Sequence, residues 1–367
     1  MDQDPRRRAR ARLALYETGR RALYNPALNV NMVDYGLPVR TSDADDRPTI
    51  RFHVDKKLSP FELQAAGIEQ VPRQIGEFTT DVIEGQYRPH LLLQRALPAD
   101  PTAQFDPLRG GISISDALHQ AAGTLGGLVR DRATGASMLL SNWHVLVVEW
   151  SARPGQRICQ PGLLDGGTAS GVVAALTRDA MVANLDAAVA TLSGARQLIN
   201  DQLGIGPAAG VGQARLGMRV TKSGRTTRVT KGIVTGLDGI AKLAYGTSRL
   251  DGRPIYRQIR KVVTIVPSVP GDQASGPGDS GSWWLNDDTR EAVALHFAGS
   301  DFPERALGID MQSVLDALNV DLVTDQPPTL LRSTPRRPIG VGLGAPPTSA
   351  SAGREPAGAA AEELVPR

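Results

Sequence analysis

A chain of 367 residues, 41% hydrophobic and 22% charged, has the composition of an ordinary globular protein with room for one large domain plus extensions. Its formal net charge is only +3, and its single cysteine, Cys159, excludes an intramolecular disulfide, so the fold rests on its core. With 39 glycines, 26 prolines and 4% aromatic residues, short strands and turns are favoured over a helical bundle.

The arginines at 6, 7, 8, 10 and 12 form a basic run that reads as solvated surface rather than a nucleic-acid site. Residues 1–12 contain no apolar core of a signal peptide, and no apolar run approaches the ~18 residues that span a bilayer. The expectation is a cytoplasmic protein without membrane or nucleic-acid partners. Residues 13–24 read as a short basic helix, 41–48 as a polar loop, 49–54 as a strand, 60–66 as a helix and 78–84 as a second strand. Together they predict a small αβ unit over 1–96, followed by a Pro- and Gly-rich linker over 97–122.

From 123 to 323 the pattern changes to short β-prone runs separated by Gly, Pro, Asn and Asp, at 124–130, 137–140, 171–176, 187–192, 218–223, 232–235, 258–266, 281–285 and 292–297. Such regular strands predict a mainly β sandwich or barrel, closed by an amphipathic helix over 309–318. The tail, 324–367, is rich in Pro, Ala, Gly, Ser and Arg and is expected to be disordered.

Chemistry concentrates in three motifs. Residues 276–282 read GPGDSGS. Glycines on both sides of Ser280 permit a tight turn that exposes the hydroxyl and frees the Gly278 and Ser280 amides to form an oxyanion hole. A Gly-rich turn between strands is the plain alternative. Residues 139–145, LLSNWHV, deliver His144 where a barrel strand would end, and residues 183–189, ANLDAAV, set Asp186 at the start of another. Alone, His144 would be a core histidine and Asp186 a turn residue. Asp165 and Asp179 compete with Asp186 but sit in turn-like surroundings. The chain order His, Asp, Ser distinguishes the set from the orders of subtilisins and α/β-hydrolases. It predicts His144 as base, Asp186 as orienting carboxylate and Ser280 as nucleophile.

On these residues the sequence resembles the trypsin-like peptidase clan. More narrowly, it is similar to bacterial and plant trypsin-like proteins related to the plant NARROW LEAF 1 protein. The matching pieces are TTDVIE at 79–84, GTLGG at 123–127, LSNWHVL at 140–146, QPG at 160–162 with DGG at 165–167, LDAAV at 185–189, KSGRTT at 222–227, GDSGS at 278–282 and FAGS at 297–300. The resemblance implies a chymotrypsin-like double six-stranded β-barrel, serine endopeptidase chemistry on a polypeptide, and His144, Asp186 and Ser280 as the triad. Two departures stand out. Trp143 replaces a small or polar residue beside the histidine, and no IVGG-type N-terminus is visible to neutralise Asp279. If buried, Asp279 needs another partner.

Ala274, six residues before the nucleophile, His296 and Gly299 are the expected substrate-pocket residues. Without an acid at 274, a preference for Lys or Arg is not supported. His296 reads either as a core histidine or as a reader of acidic substrates. KSGRTT lacks the P-loop frame and reads as a polar hairpin. No cluster has metal-ligand spacing, so neither metal nor cofactor is expected, and a homo-oligomer stays open. A protease-fold interaction module with vestigial activity and a serine esterase are the alternatives.

Overall fold

Closing one sheet on itself removes exposed strand edges, and the C-terminal half of the chain does this with six antiparallel strands. In the computed structural model, which describes residues 4–39, 47–90, 100–248 and 250–324, the ring runs Arg219–Gly224, Trp283–Asn286, Glu291–Asp301, Glu304–Asp310, Pro254–Pro267 and Arg228–Thr247. The last strand pairs with the first. Inside lie Val220, Val234, Ile265, Trp284 and Ala294.

The preceding sheet has eight short strands in the order Val320–Leu322, Gly127–Asp131, Ser137–Ser141, Ala188–Leu192, Val172–Asp179, Arg157–Cys159, Ser113–Asp116 and Gly123–Thr124. Its core residues Ile114, Leu139, Ile158 and Val189 belong to one hydrophobic cluster with Trp283, Leu295 and Phe297 of the closed ring. The chain is thus mainly β, with two sheets sharing a seam of apolar side chains. The C-terminal helix Met311–Leu318 is capped by the Asp310 carboxylate accepting from Ser313 N at 3.0 Å. It starts two residues later than the sequence pattern suggests.

The expected linker needs correction. Its first three residues, 97–99, the preceding 91–96 of the expected αβ unit and the tail from 325 fall outside the described residues, as does most of the polar loop at 41–48. The remainder contains the strands Leu108–Gly110 and Ser113–Asp116, with Ile112 and Ile114 fully buried. The glycines that disguised it are structural. Gly111 has φ +88°, and a Cβ there would stand 2.5 Å from Ser223 Oγ.

The described residues up to His90 extend the closed ring and do not stand apart from it. The helix Pro5–Ala14 begins earlier than expected because Asp4 caps it, accepting from Arg6 N at 2.9 Å with proline next in line. The helical run continues to Tyr24. Strands Thr49–Val54 and Phe78–Glu84 and helix Pro60–Ala66 lie where the sequence puts them. A strand not foreseen, Val30–Gly36, joins Thr49–Val54 to the Arg228–Thr247 strand of the ring. Leu15, Leu23, Val33, Phe52 and Phe78 pack with Ile240 of that strand. Beneath them the fully buried Arg51 donates from Nε to Asp34 Oδ1 at 2.6 Å, and Thr264 of the ring donates to Asp34 Oδ2 at 2.6 Å. Among the described residues no helix is long and apolar enough to cross a membrane.

Candidate active site

Strand pairing accounts for the meeting of the first two predicted residues. Ser137–Ser141 and Ala188–Leu192 are antiparallel neighbours, with Ser141 opposite Ala188. The residues just beyond this pair, His144 and Asp186, therefore come together. His144 sits in a short helix, Trp143–Leu146, rather than at the strand end itself. Its Nδ1 lies 2.5 Å from Asp186 Oδ2, and its backbone N–H donates to Asp186 Oδ1 at 3.2 Å. Asn142 Nδ2 donates to the Asp186 carbonyl at 2.6 Å. Asp186 is fully buried and His144 is 5% exposed, and the imidazole Nε2 is buried with no hydrogen-bond partner.

A third group on this carboxylate escaped the sequence reading. The Tyr245 hydroxyl donates to Asp186 Oδ2 at 2.8 Å. Burial, followed by the charge of Asp186, raises its phenol well above the ordinary value, so it remains a donor. Trp143 braces this tyrosine, with ring centroids 6.0 Å apart at a steep angle, and stacks on Trp150 at 4.5 Å. The bulk of Trp143 therefore props up the partner of Asp186. The signal available in the sequence was the alternation Ala241, Leu243, Tyr245, all buried.

Ser280 lies fully buried in the turn between two glycines of positive φ, Gly278 at +101° and Gly281 at +103°. A Cβ on Gly281 would stand 2.0 Å from the Thr124 carbonyl, so the turn accepts only glycine there. The turn is fastened to the first sheet. Thr124 N donates to the Ser280 carbonyl at 2.7 Å, and Thr124 Oγ1 donates to the Gly278 carbonyl at 2.8 Å. At neighbouring Gly123 a Cβ would touch both the Val145 side chain at 2.5 Å and the Ser280 carbonyl at 3.2 Å. The helix carrying His144 and the turn carrying Ser280 thus flank one glycine. The Ser280 hydroxyl donates to the Phe297 carbonyl at 3.0 Å, and no hydrogen bond joins it to His144.

Asp279, fully buried, finds its partner in KSGRTT. Lys222 Nζ donates to Oδ2 at 2.8 Å, Thr226 N and Thr227 N donate to Oδ1 at 2.9 and 3.0 Å, and Gly276 N donates to Oδ2 at 3.0 Å. Burial pushes this carboxyl upward, but the Lys222 charge and these donors outweigh it and hold the group ionised, far below its usual range. The segment is a hairpin, as its sequence suggests, and it also clamps the residue before Ser280. The competing carboxylates are engaged elsewhere. Asp165 pairs with the buried Arg225, whose Nε donates at 2.8 Å, and Asp179 accepts from Met181 N at 2.9 Å.

Among the expected pocket residues, His296 and Gly299 meet the side chain of His90. Ala274 packs into the core of the closed ring. His296 is fully buried, and its pKa is held well below the ordinary value by burial first and by the neighbouring His90 second. The amide of Gly278 donates to the His90 carbonyl at 2.5 Å, an engagement no sequence motif announced.

No protein-family model matches the chain, and no curated protein does. Solved structures do resemble it. A chymotrypsin of Cellulomonas bogoriensis is 18% identical with a TM-score of 0.42, over 60% of this chain and 100% of that one. Protease A of Thermobifida fusca is 16% identical with a TM-score of 0.42, over 60% of this chain and 100% of its own. A Nocardiopsis protease is 16% identical with a TM-score of 0.42, over 59% of this chain and 100% of its own.

Proposed function

We propose that the protein is a serine endopeptidase, with Ser280 as nucleophile, His144 as general base and then acid, and Asp186 as the carboxylate that orients it. The observation that carries this reading is the His144 imidazole. Asp186 fixes it through Nδ1 at 2.5 Å, and Nε2 is left buried and unpartnered. A buried nitrogen without a partner costs free energy and is a natural acceptor for a serine proton.

In the proposed reaction the Ser280 hydroxyl turns from the Phe297 carbonyl to His144 Nε2, a rotation about one side-chain bond. Resting sites often hold such bonds loosely and tighten them on substrate. Ser280 Oγ attacks the peptide carbonyl as His144 takes its proton, and the amides of Gly278 and Ser280 stabilise the oxyanion. His144 then protonates the leaving amine, and water hydrolyses the ester. Lys222 keeps Asp279 charged and the turn in shape, a task that needs no new N-terminus. The Glu291–Asp301 strand pairs main chain to main chain with an extended segment, the chain's own Arg88–Pro89, at Ala298 and Gly299, and this mode of holding an extended peptide supports a polypeptide substrate. The motif resemblance supports grouping the chain with the bacterial and plant proteins related to NARROW LEAF 1.

A second reading, an interaction module with vestigial chemistry, is favoured by the hydroxyl of Ser280 donating to Phe297 and not to His144. A fluorophosphonate probe separates the two. Stoichiometric labelling of the wild type that Ser280→Ala abolishes, with turnover of a peptide library, supports the peptidase. A folded wild type that resists the probe supports the module.

A further inference from the structure

The protein's own chain lies across the proposed site. Arg88–Pro89 pairs antiparallel with Glu291–Asp301, Pro89 opposite Ala298 and Arg88 opposite Gly299. The register continues for one more residue, because His90 N donates to the Phe297 carbonyl at 3.1 Å. The His90 carbonyl then accepts from Gly278 N at 2.5 Å, on the turn that carries Ser280. Its side chain, 1% exposed, drops between His296 and Gly299. His296 Nε2 lies 3.2 Å from His90 Nδ1, and a Cβ on Gly299 would stand 2.3 Å from His90 Cε1. Upstream, Arg88 pairs with Asp301, Gln86 N donates to Ser300 Oγ at 3.3 Å, and the Tyr87 hydroxyl lies 2.5 Å from His53 Nδ1.

These contacts are the ones an extended peptide needs to present a carbonyl to a serine. Main-chain bonds to a strand align it, a side-chain pocket fixes its register, and a donor on the carbonyl oxygen polarises it. The pocket also reads the imidazole. Trp284 Nε1 donates to His296 Nδ1 at 3.4 Å, which leaves His296 Nε2 to carry the hydrogen that meets His90 Nδ1.

Resting on the acyl-transfer reading above, we propose that the chain is its own substrate and cuts itself after His90. Ser280 Oγ bonds to the His90 carbonyl carbon and gives its proton to His144 Nε2. The bond from that carbon to the next nitrogen breaks, and the nitrogen takes the proton from His144. Water, deprotonated by His144, then attacks the Ser280–His90 ester; the bond to Ser280 Oγ breaks, Oγ takes the proton from His144, and a free carboxylate is left on His90. The upstream piece stays in place, because Val30–Gly36 is a strand of the main sheet and Asp34 is bonded to Thr264. Tethering of this kind keeps the local concentration of the new end on the order of millimolar, so the nicked protein holds its own product.

The test is to incubate the purified full chain and follow intact mass and N-terminal sequence. The expected result is a pair of fragments, one ending at His90 and one beginning at Leu91, that co-elute under native conditions. Their rate of formation should not change with protein concentration. Ser280→Ala, shown to be folded by its melting curve, should stay whole. His90→Gly, which empties the pocket, should cut at least about tenfold more slowly at that bond. A wild type that labels at Ser280 with fluorophosphonate yet stays whole overturns the self-cleavage and leaves the peptidase reading standing. So does cleavage at that bond whose rate rises in proportion to concentration. A folded wild type that neither labels nor cuts overturns both.

Discussion

The Lys222 ammonium lies 2.8 Å from the Asp279 carboxylate, both groups are fully buried, and Asp279 immediately precedes the proposed nucleophile. Two charges out of water are tolerable only together, and removing one partner strands the other at a cost of about 3–5 kcal/mol. Lys222→Met is therefore expected to lower unfolding stability by about that much. It should also slow fluorophosphonate labelling of Ser280 by at least about a hundredfold, the rate equivalent of about 2.7 kcal/mol. The double variant Lys222→Met, Asp279→Asn should regain part of the stability and little of the labelling. Urea titration and labelling kinetics on the wild type and the two variants check this. Labelling of Lys222→Met at the wild-type rate would separate the ion pair from the shape of the turn.

Tyr245 gives a graded expectation at the other end of the proposed relay. Its 2.8 Å bond to Asp186 is a hydrogen bond to a charged group, of a kind that contributes about 1.5–3 kcal/mol. Tyr245→Phe removes that bond and keeps the ring that packs on Trp143. A fall of roughly ten- to a hundredfold in kcat is expected if the bond acts fully in the transition state. Asp186→Asn, which disturbs the tautomer itself, should lose on the order of ten thousandfold. The ranking is the check, and a Tyr245→Phe enzyme slower than Asp186→Asn would reverse the roles.

How much of this was legible in the sequence depends on how local each signal was. The strands 49–54 and 78–84 and the helix 60–66 carry their own alternation and caps, Ser59 and Glu62 forming a capping box, and they lie where expected. His144 and Asp186 are brought together because each flanks a strand whose apolar pattern is clear. The strands at 108–116 were hidden because their glycines read as linker, whereas Gly111 answers a close approach to Ser223. The need of Asp279 for a partner was legible, but the partner was not, since Lys222 looks like a surface residue of a polar hairpin until the ring closes around it. Tyr245 and His90 act across pairings between distant segments, and nothing near either residue in the chain announces its role.

His90 and His296 make acid the condition that tests the site. Burial lowers His90 from 6.5 to about 4, with Asp279, Asp301, Lys222 and Arg88 as its charged neighbours. Burial also takes His296 well below 6.5, among His90, Lys222, Asp279 and His144. In an unfolded chain both imidazoles take up a proton near pH 6.5, as the exposed His90 of an undocked segment also would, whereas in the docked state they resist it. The His90 contribution is therefore complete above about pH 6.5 and is lost as pH falls toward about 4, and that of His296 is lost in the same direction. For His90 the shift from 6.5 to about 4 corresponds to roughly 3 kcal/mol at about 1.4 kcal/mol per unit. The Arg88–His90 segment is therefore expected to lift from its strand in acid before the Arg228–Thr247 strand opens. Hydrogen exchange at the His90 amide, whose 3.1 Å bond to Phe297 reports the docking, is expected to accelerate between pH 6.5 and 4 while the amides of the Arg228–Thr247 strand stay protected. His90→Gln, which keeps a polar side chain that does not titrate, should flatten this pH dependence. Exchange at residue 90 that tracks the slow core at every pH would show that the buried histidine pair does not govern the docking.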